Sequence, residues 1–410
     1  MLNVMVKIVT YVLAMSSLLS SCDLFGGRGD DPKGGEVVWR LENQRENLVG
    51  TQPLIKDGKV YFIQDGYLKA YTLDKGNRVW QTQIVSEGNG GYNHRLVESG
   101  DKVFLDQGFD IQAHSKSDGS IVWETQVTDD AEEVSGIGEP IMSQDEDHLY
   151  AGRKGYVLQL RKRDGQIVRR YPLDRMVPEG VLQGSTEPII SPFGDGMLYV
   201  PTSYWDPSGS YPEEASGGNV FAFDASTGDL IWERQIIVTT ANPYPDVPGD
   251  SLTSSPNMYD AEVQGDLLIV LAGSAVVALD RLTGEKVWES VFSDDGFDVG
   301  LATNEHGVYI ASAGWHATGL DLETGEEIWR RDITFSNTSI PTVQDGRFYF
   351  NNSGGGGIWV LDTATGSVIY HKNTPNHDRD SYDVYISSLG VGEGYMVNVG
   401  SKAVYCLRVP

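Results

Sequence analysis

One ten-residue phrase keeps returning along this chain. It reads FDASTGDLIW at 223–232, LDRLTGEKVW at 279–288, LDLETGEEIW at 320–329 and LDTATGSVIY at 361–370. Each copy holds an apolar residue, Asp, a short linker, Thr-Gly, and an alternating run that ends in an aromatic. Gly tolerates the positive φ of a tight hairpin, and Asp and Thr side chains bond the turn's own backbone. Each copy is therefore expected to be a β-hairpin. The aromatic falls an even number of residues after the Gly, so it always points to one face of the second strand.

Weaker copies follow the same rule: Gly76 with Trp80, Gly119 with Trp123, and Gly165 with Arg169, where the aromatic is lost. Upstream of each hairpin lies a turn and an apolar strand, such as DGKVYFIQ, GDKVFLDQ, DGMLYVP and DGRFYFN. Further upstream is a short strand that often holds Pro, as in TQPLIKD, GEPIMSQ, TEPIISP and SIPTVQD. Four short strands recurring every roughly 40–60 residues are the mark of a β-propeller blade. The C-terminus supplies three strands, in SYDVYISSLG, EGYMVNVG and KAVYCLRV, and EVVWRLE at 36–42 supplies a lone one. Joined, they make a last blade and remove the free edges that invite aggregation. The expected fold is all-β: an eight-bladed β-propeller of four-stranded antiparallel blades, its ring closed by the N-terminal strand.

The recurring aromatics, Trp39, Trp80, Trp123, Trp232, Trp288, Trp329 and Tyr370, read as docks between one blade and the next. Such a ring buries about 150–250 Å². Stacking on a ligand is the competing reading, and the regular spacing of the positions favours the dock.

Of the 410 residues 40% are apolar, enough for a core, and the blades run end to end without a Pro/Ser linker, so one domain is expected despite the length. The net charge of −27 argues against nucleic acid, which needs basic patches, and against a broad grip on anionic lipid. Spread as it is, the charge fits solubility or adaptation to a salty habitat. There are two cysteines. Cys406 falls in the strand VYCLRV and reads as a small buried hydrophobe. Cys22 follows MLNVMVKIVTYVLAMSSLLSS, a secretory leader with a lysine and then an apolar run too short to span a membrane.

Leu19-Ser20-Ser21-Cys22 resembles a bacterial lipobox, in which the Cys becomes the lipidated first residue. That resemblance implies a signal peptide at 1–21, a flexible tether at 22–35 and the propeller at 36–410, with several acyl chains giving stable anchorage. Asp23 behind the lipid Cys resembles an inner-membrane retention signal in some bacteria, while the family discussed next resides at the outer membrane facing the periplasm.

The pattern ALDRLTGEKVW at 278–288 resembles the tryptophan-docking repeat of the pyrroloquinoline-quinone (PQQ) propeller superfamily, and nearly all of the mature chain follows it. Two branches are relevant. Quinoprotein alcohol dehydrogenases carry a vicinal Cys-Cys disulfide, Ca²⁺ and a catalytic Asp, and this chain has no adjacent cysteines. BamB-like outer-membrane assembly lipoproteins combine a lipobox, a short tether and eight blades, as this chain does. That second resemblance implies a non-enzymatic, monomeric scaffold without cofactor, bound to the POTRA domains of a barrel-assembly protein. The family's Leu-Arg-Gly-x-x-x-Pro docking segment corresponds to Leu182-Gln183-Gly184-Ser185-Thr186-Glu187-Pro188, with Gln183 in place of Arg. An acidic family element has a loose counterpart in Asp250.

Two segments are swollen: a loop at about 203–217 in blade four and another at about 238–253 before blade five. In an up-and-down blade both emerge on the face that also carries the 172–183 segment, opposite the Thr-Gly turns. They hold Tyr204, Trp205, Tyr211 and Tyr244, residue types favoured at interface centres. They either bind a partner or pack within their own loops. Other chemistry is thin. His371, His377, Asp378, Asp380 and Asp383 gather in one loop without the Gly and final Glu of a calcium hand. NNSGGGG at 351–357 lacks the helix a phosphate cradle needs. The expectation is a protein-binding propeller. Two alternatives stand beside it: a quinone enzyme, or a surface lipoprotein that binds glycan through the aromatic loops.

Overall fold

The computed structural model describes residues 35–43, 51–84, 94–128, 142–153, 155–173, 191–194, 196–204, 217–241, 251–254, 258–292, 300–311, 316–333, 339–352, 357–373 and 387–410. Among them all regular structure is strand. Eight four-stranded antiparallel sheets follow one another along the chain. Blade five shows the pattern. Met258–Gln264 is its innermost strand, Leu267–Ala272 and Ala275–Asp280 are its buried middle, and Lys286–Val291 is its half-exposed outer edge. The innermost strands of successive blades approach one another around the ring. The core is not one mass but eight layers, each shared by the facing sides of two neighbouring blades. Blade five gives Val270 and Val277 to the layer with blade four, and Ile269 and Val276 to the layer with blade six. Strand alternation is what permits this, since successive side chains point to opposite faces.

The ring closes on blade eight. Val37–Glu42 pairs antiparallel with Ala403–Arg408, so the first described strand is the outer edge of the last sheet. Gly35 N–H donates to the Arg408 carbonyl at 2.7 Å and Arg408 N–H to that of Glu36 at 3.1 Å.

The returning phrase builds one turn and one joint. In blade five Asp280 Oδ1 accepts the N–H groups of Leu282 (3.0 Å) and Thr283 (2.8 Å) and the Thr283 hydroxyl (2.9 Å). Asp321 and Asp362 repeat this arrangement. Gly284 N–H then donates to Asp280 O, with Gly284 at φ 71°. The aromatic of the preceding blade lies on that glycine. Trp288 Nε1 donates to Leu322 O at 2.9 Å while its ring covers Gly325 of blade six. The same bond runs from Trp39 to Leu73 O, Trp80 to Lys116 O, Trp123 to Lys162 O, Trp232 to Arg281 O and Trp329 to Thr363 O. Tyr370 covers Gly35 and donates to its carbonyl at 2.9 Å, which seals blade seven to blade eight. A second donor two residues after the aromatic reaches the next blade's turn in several joints, as Thr82 does to Gly119 O and Ser290 to Gly325 O.

A side chain at the covered glycine is excluded twice over. At Gly325 the φ is +72°, and a Cβ would sit 2.4 Å from the Trp288 ring. Gly325→Ala is expected to lower stability by about 1–3 kcal/mol through left-handed strain and the displaced indole, read as a fall in the urea midpoint.

The turn carboxylates also predict an acid response. The Thr283 backbone N–H, more than any other group, holds Asp280 below the usual carboxylate range; the side chains of Thr324 and Ser226 do the same for Asp321 and Asp224. For depressed carboxylates the added stability is present above their unfolded pKa and lost as pH falls through the folded one. A triple variant, D224N/D280N/D321N, keeps an acceptor oxygen at every pH. Its urea midpoint should fall less than wild type's between about pH 5 and pH 3.

Three details differ from the sequence expectation. The segment at 238–253 is not all loop, because Val238–Ala241 pairs antiparallel with Ser251–Ser254. Short alternating Thr and Ser runs can pair as an extra hairpin, which polar composition hides. The swollen loop of blade four is shorter than 203–217, since its flanking strands run to Tyr204 and from Gly217. A further parallel pair, Thr51–Gln52 with His94–Arg95, links the connections into blades one and two.

Candidate functional site

Four hydrogen bonds establish which connections share a face. The chain leaving an outer strand bonds back to its own blade's second turn: Ile84 N–H to Gly66 O, Val127 to Phe109, Leu173 to Gly155 and Phe292 to Ser274. The turn between second and third strands therefore lies beside the exit toward the next blade. The Asp-Gly and Thr-Gly turns lie at the other end, where Leu73 N–H meets Gly58 O and Ala225 N–H meets Gly196 O.

On the first of these faces, around blades three to five, three connections leave the repeat pattern. One departs after buried Leu173 and returns at Ser191. A second departs after Tyr204 and returns at Gly217. The third departs after Ala241 and returns at Ser251 on the extra hairpin. Tyr204 ends a strand and pairs through its backbone with Gly217. Leu182, Gln183, Trp205, Tyr211, Tyr244, Asp250 and Cys22, the expected lipid attachment site, lie outside the described residues. What is established is the frame: the strand ends that carry these segments stand on one face of adjacent blades.

An ion pair joins that frame to blade two. Arg153, the last residue of its strand, makes a two-pronged ion pair with Asp106 of blade two, at 2.8 and 2.9 Å, and both are fully buried. Asp106 also accepts Gly108 N–H at 2.8 Å. Such a pair fixes geometry more than it adds stability, because desolvation offsets most of the attraction.

Sequence reasoning passed over the charge of blade three. Arg153, Lys154, Arg161, Lys162, Arg163, Arg169 and Arg170 face a single acid, Asp164, between residues 153 and 172. The fold uses most of these cations internally. Arg161 binds Asp164 at 2.9 Å, Lys162 donates to Asp145 O at 2.5 Å, and Arg169 docks on blade four through Ser226 O at 3.0 Å. The run of unlike residues in an acidic chain was a visible signal, but of architecture.

The other candidates resolve similarly. His371 lies on the outer strand of blade seven, stacked on Trp359 with ring centroids 3.7 Å apart, and burial lowers its pKa. His377, Asp378, Asp380 and Asp383 lie outside the described residues, as does the centre of the glycine run. Among the described residues no three His, Cys, Asp or Glu side chains group as metal ligands, and no helix is long and apolar enough to cross a membrane. Cys406 is buried in the layer between blades eight and one, its thiol pKa pushed up by burial.

The sequence profile described as outer membrane protein assembly factor BamB matches residues 29–187 and 272–403. Among curated proteins none matches by sequence. Solved structures share the fold at low identity. BamB from Moraxella catarrhalis is 14% identical with a TM-score of 0.62, over 91% of this chain and 99% of that one. Quinohemoprotein alcohol dehydrogenase from Comamonas testosteroni is 11% identical with a TM-score of 0.66, over 91% and 76%. The computationally designed Ika8 protein is 12% identical with a TM-score of 0.63, over 92% and 100%. The profile leaves 188–271 unmatched, a stretch that holds blade four, the extra hairpin and the start of blade five.

Proposed function

Since the chain belongs to the BamB family of outer membrane protein assembly factors, we propose that it is a lipid-anchored envelope scaffold that assists the assembly of outer-membrane β-barrel proteins. The observation that carries this reading is the family match over both flanks of the propeller. Cys22 carries the lipid, residues 22–35 tether the disc, and the propeller faces the periplasm from the outer membrane. A POTRA-bearing barrel protein is the partner, and it docks on the face of blades three to five through Leu182, Gln183, Trp205 and their neighbours.

The scaffold works without catalysis or cofactor. In support, the sequence's two cysteines are far apart, and the Cys406 thiol points to Leu73 O inside a blade-to-blade layer. The dehydrogenase likeness, at 11% identity, is a likeness of fold.

The test is a pull-down of tagged, lipidated protein from mildly solubilised native membranes, read by mass spectrometry. A POTRA-bearing β-barrel protein is expected to be enriched over a Cys22→Ala control. Enrichment of no such protein would remove the assembly role.

A further inference from the structure

The joint between blades three and four is built differently from the other seven. At each of those, one aromatic both covers the next blade's glycine and donates to a carbonyl of its turn. Here the two tasks fall to two residues. The Arg169 guanidinium covers Gly228, where a Cβ would lie 2.0 Å from it, and donates to Ser226 O. Tyr171, fully buried and packed on Phe223 with centroids 5.3 Å apart, donates to Ala225 O at 3.0 Å. Ala225 stands three residues before its glycine, the place of Leu322 before Gly325. The Trp bond is thus replaced position for position.

The replacement is less complete. An indole N–H has one acceptor at each Trp joint. The Tyr171 hydroxyl has one hydrogen and two acceptors in reach, Ala225 O and Gln159 Oε1 at 3.1 Å. Turning the Gln159 amide over would give Tyr171 a donor. It would also set Gln159 Oε1 against the Tyr150 hydroxyl, whose hydrogen goes to Asp145 at 2.8 Å and which now accepts Gln159 Nε2 at 3.0 Å. Tyr150 could then turn its hydrogen to Gln159 Oε1, since Asp145 Oδ2 also has His148 Nδ1 at 3.2 Å, so the Tyr171 bond has two alternative networks where each indole N–H has one acceptor. Arg169 adds a buried Nε–H without a partner.

We propose that the blade three–blade four joint is the ring's yielding seam, the place where the propeller opens locally before any other blade pair separates. The joint lies at the Thr-Gly-turn end of these two blades, where Ala225 N–H meets Gly196 O, so its opening lets blade four shift against blade three from that end. This inference rests on the joint's own bonding and is independent of the partner proposed above.

Hydrogen exchange on the full-length wild-type protein tests it, comparing equivalent turn amides. Gly228 N–H, bonded to Asp224 O, is expected to exchange at least about tenfold faster than Gly284, Gly325 and Gly366 N–H in the same turn. Arg169→Trp, which restores the aromatic, is expected to slow Gly228 toward the others, and Tyr171→Phe to speed it further. Equal or slower exchange at Gly228 in wild type overturns the proposal. So does fast exchange that a folded Arg169→Trp variant leaves unchanged, which would trace it to something other than the docking residue. Should that variant fail to fold, the wild-type comparison and Tyr171→Phe still decide.

Discussion

Trp288→Ala is expected to destabilise the propeller by about 3–5 kcal/mol, the cost of emptying a large aromatic site that cannot collapse. The indole is 8% exposed, caps Gly325 of the next blade and donates to Leu322 O. Truncation removes the ring's contacts with both blades and leaves that carbonyl without its donor. The fall should appear as a lower urea midpoint. Trp288→Phe, which keeps a ring but no N–H, should cost less, and the missing hydrogen bond alone accounts for about 1 kcal/mol. A midpoint that does not move in Trp288→Ala would mean that these aromatics do not hold the blades together.

The second large effect is on binding. Leu182→Asp and Trp205→Ala are each expected to weaken partner capture by at least about 2 kcal/mol, roughly thirtyfold, if they stand at an interface centre. In sequence Leu182 lies between the strands Ile167–Pro172 and Ser191–Gly194, and Trp205 between Met197–Tyr204 and Gly217–Asp224. The measurement is the membrane pull-down described above, with thermal melting as a control on folding. Unchanged capture by both folded variants would move the interface off this face. It would leave the yielding seam untouched, because hydrogen exchange reads that independently.

The seam and the swollen face converge on blade four. The BamB profile does not match this stretch, the docking aromatic before it is replaced, and a hairpin is added after it. The remaining blades keep the shared pattern closely. Elaboration is therefore concentrated in one sector of the ring.

Much of this was legible in the linear chain because propeller blades are local. Each hairpin joins residues a few positions apart, so Asp280, Thr283 and Gly284 announce their turn, and the even offset announces the face of Trp288. Counting strands at the two ends was enough to anticipate the pairing of Val37–Glu42 with Ala403–Arg408. The candidate face was legible as connectivity, though the side chains proposed to act there lie outside the described residues.

The blade, its repeat number and the closure of the ring are written in the linear chain, because they follow from local turn chemistry and period-two burial. Which groups meet across blades emerges only once the ring is assembled. Arg169 looked like a lost dock, yet it covers Gly228 while Tyr171 takes the carbonyl, a division of labour between residues more than fifty positions from their partners. Asp106 and Arg153 are unremarkable as letters and become a buried ion pair once two blades stand side by side. The reason is physical: a hairpin writes its geometry into adjacent residues, whereas a joint between sheets depends on side chains brought together by the whole ring.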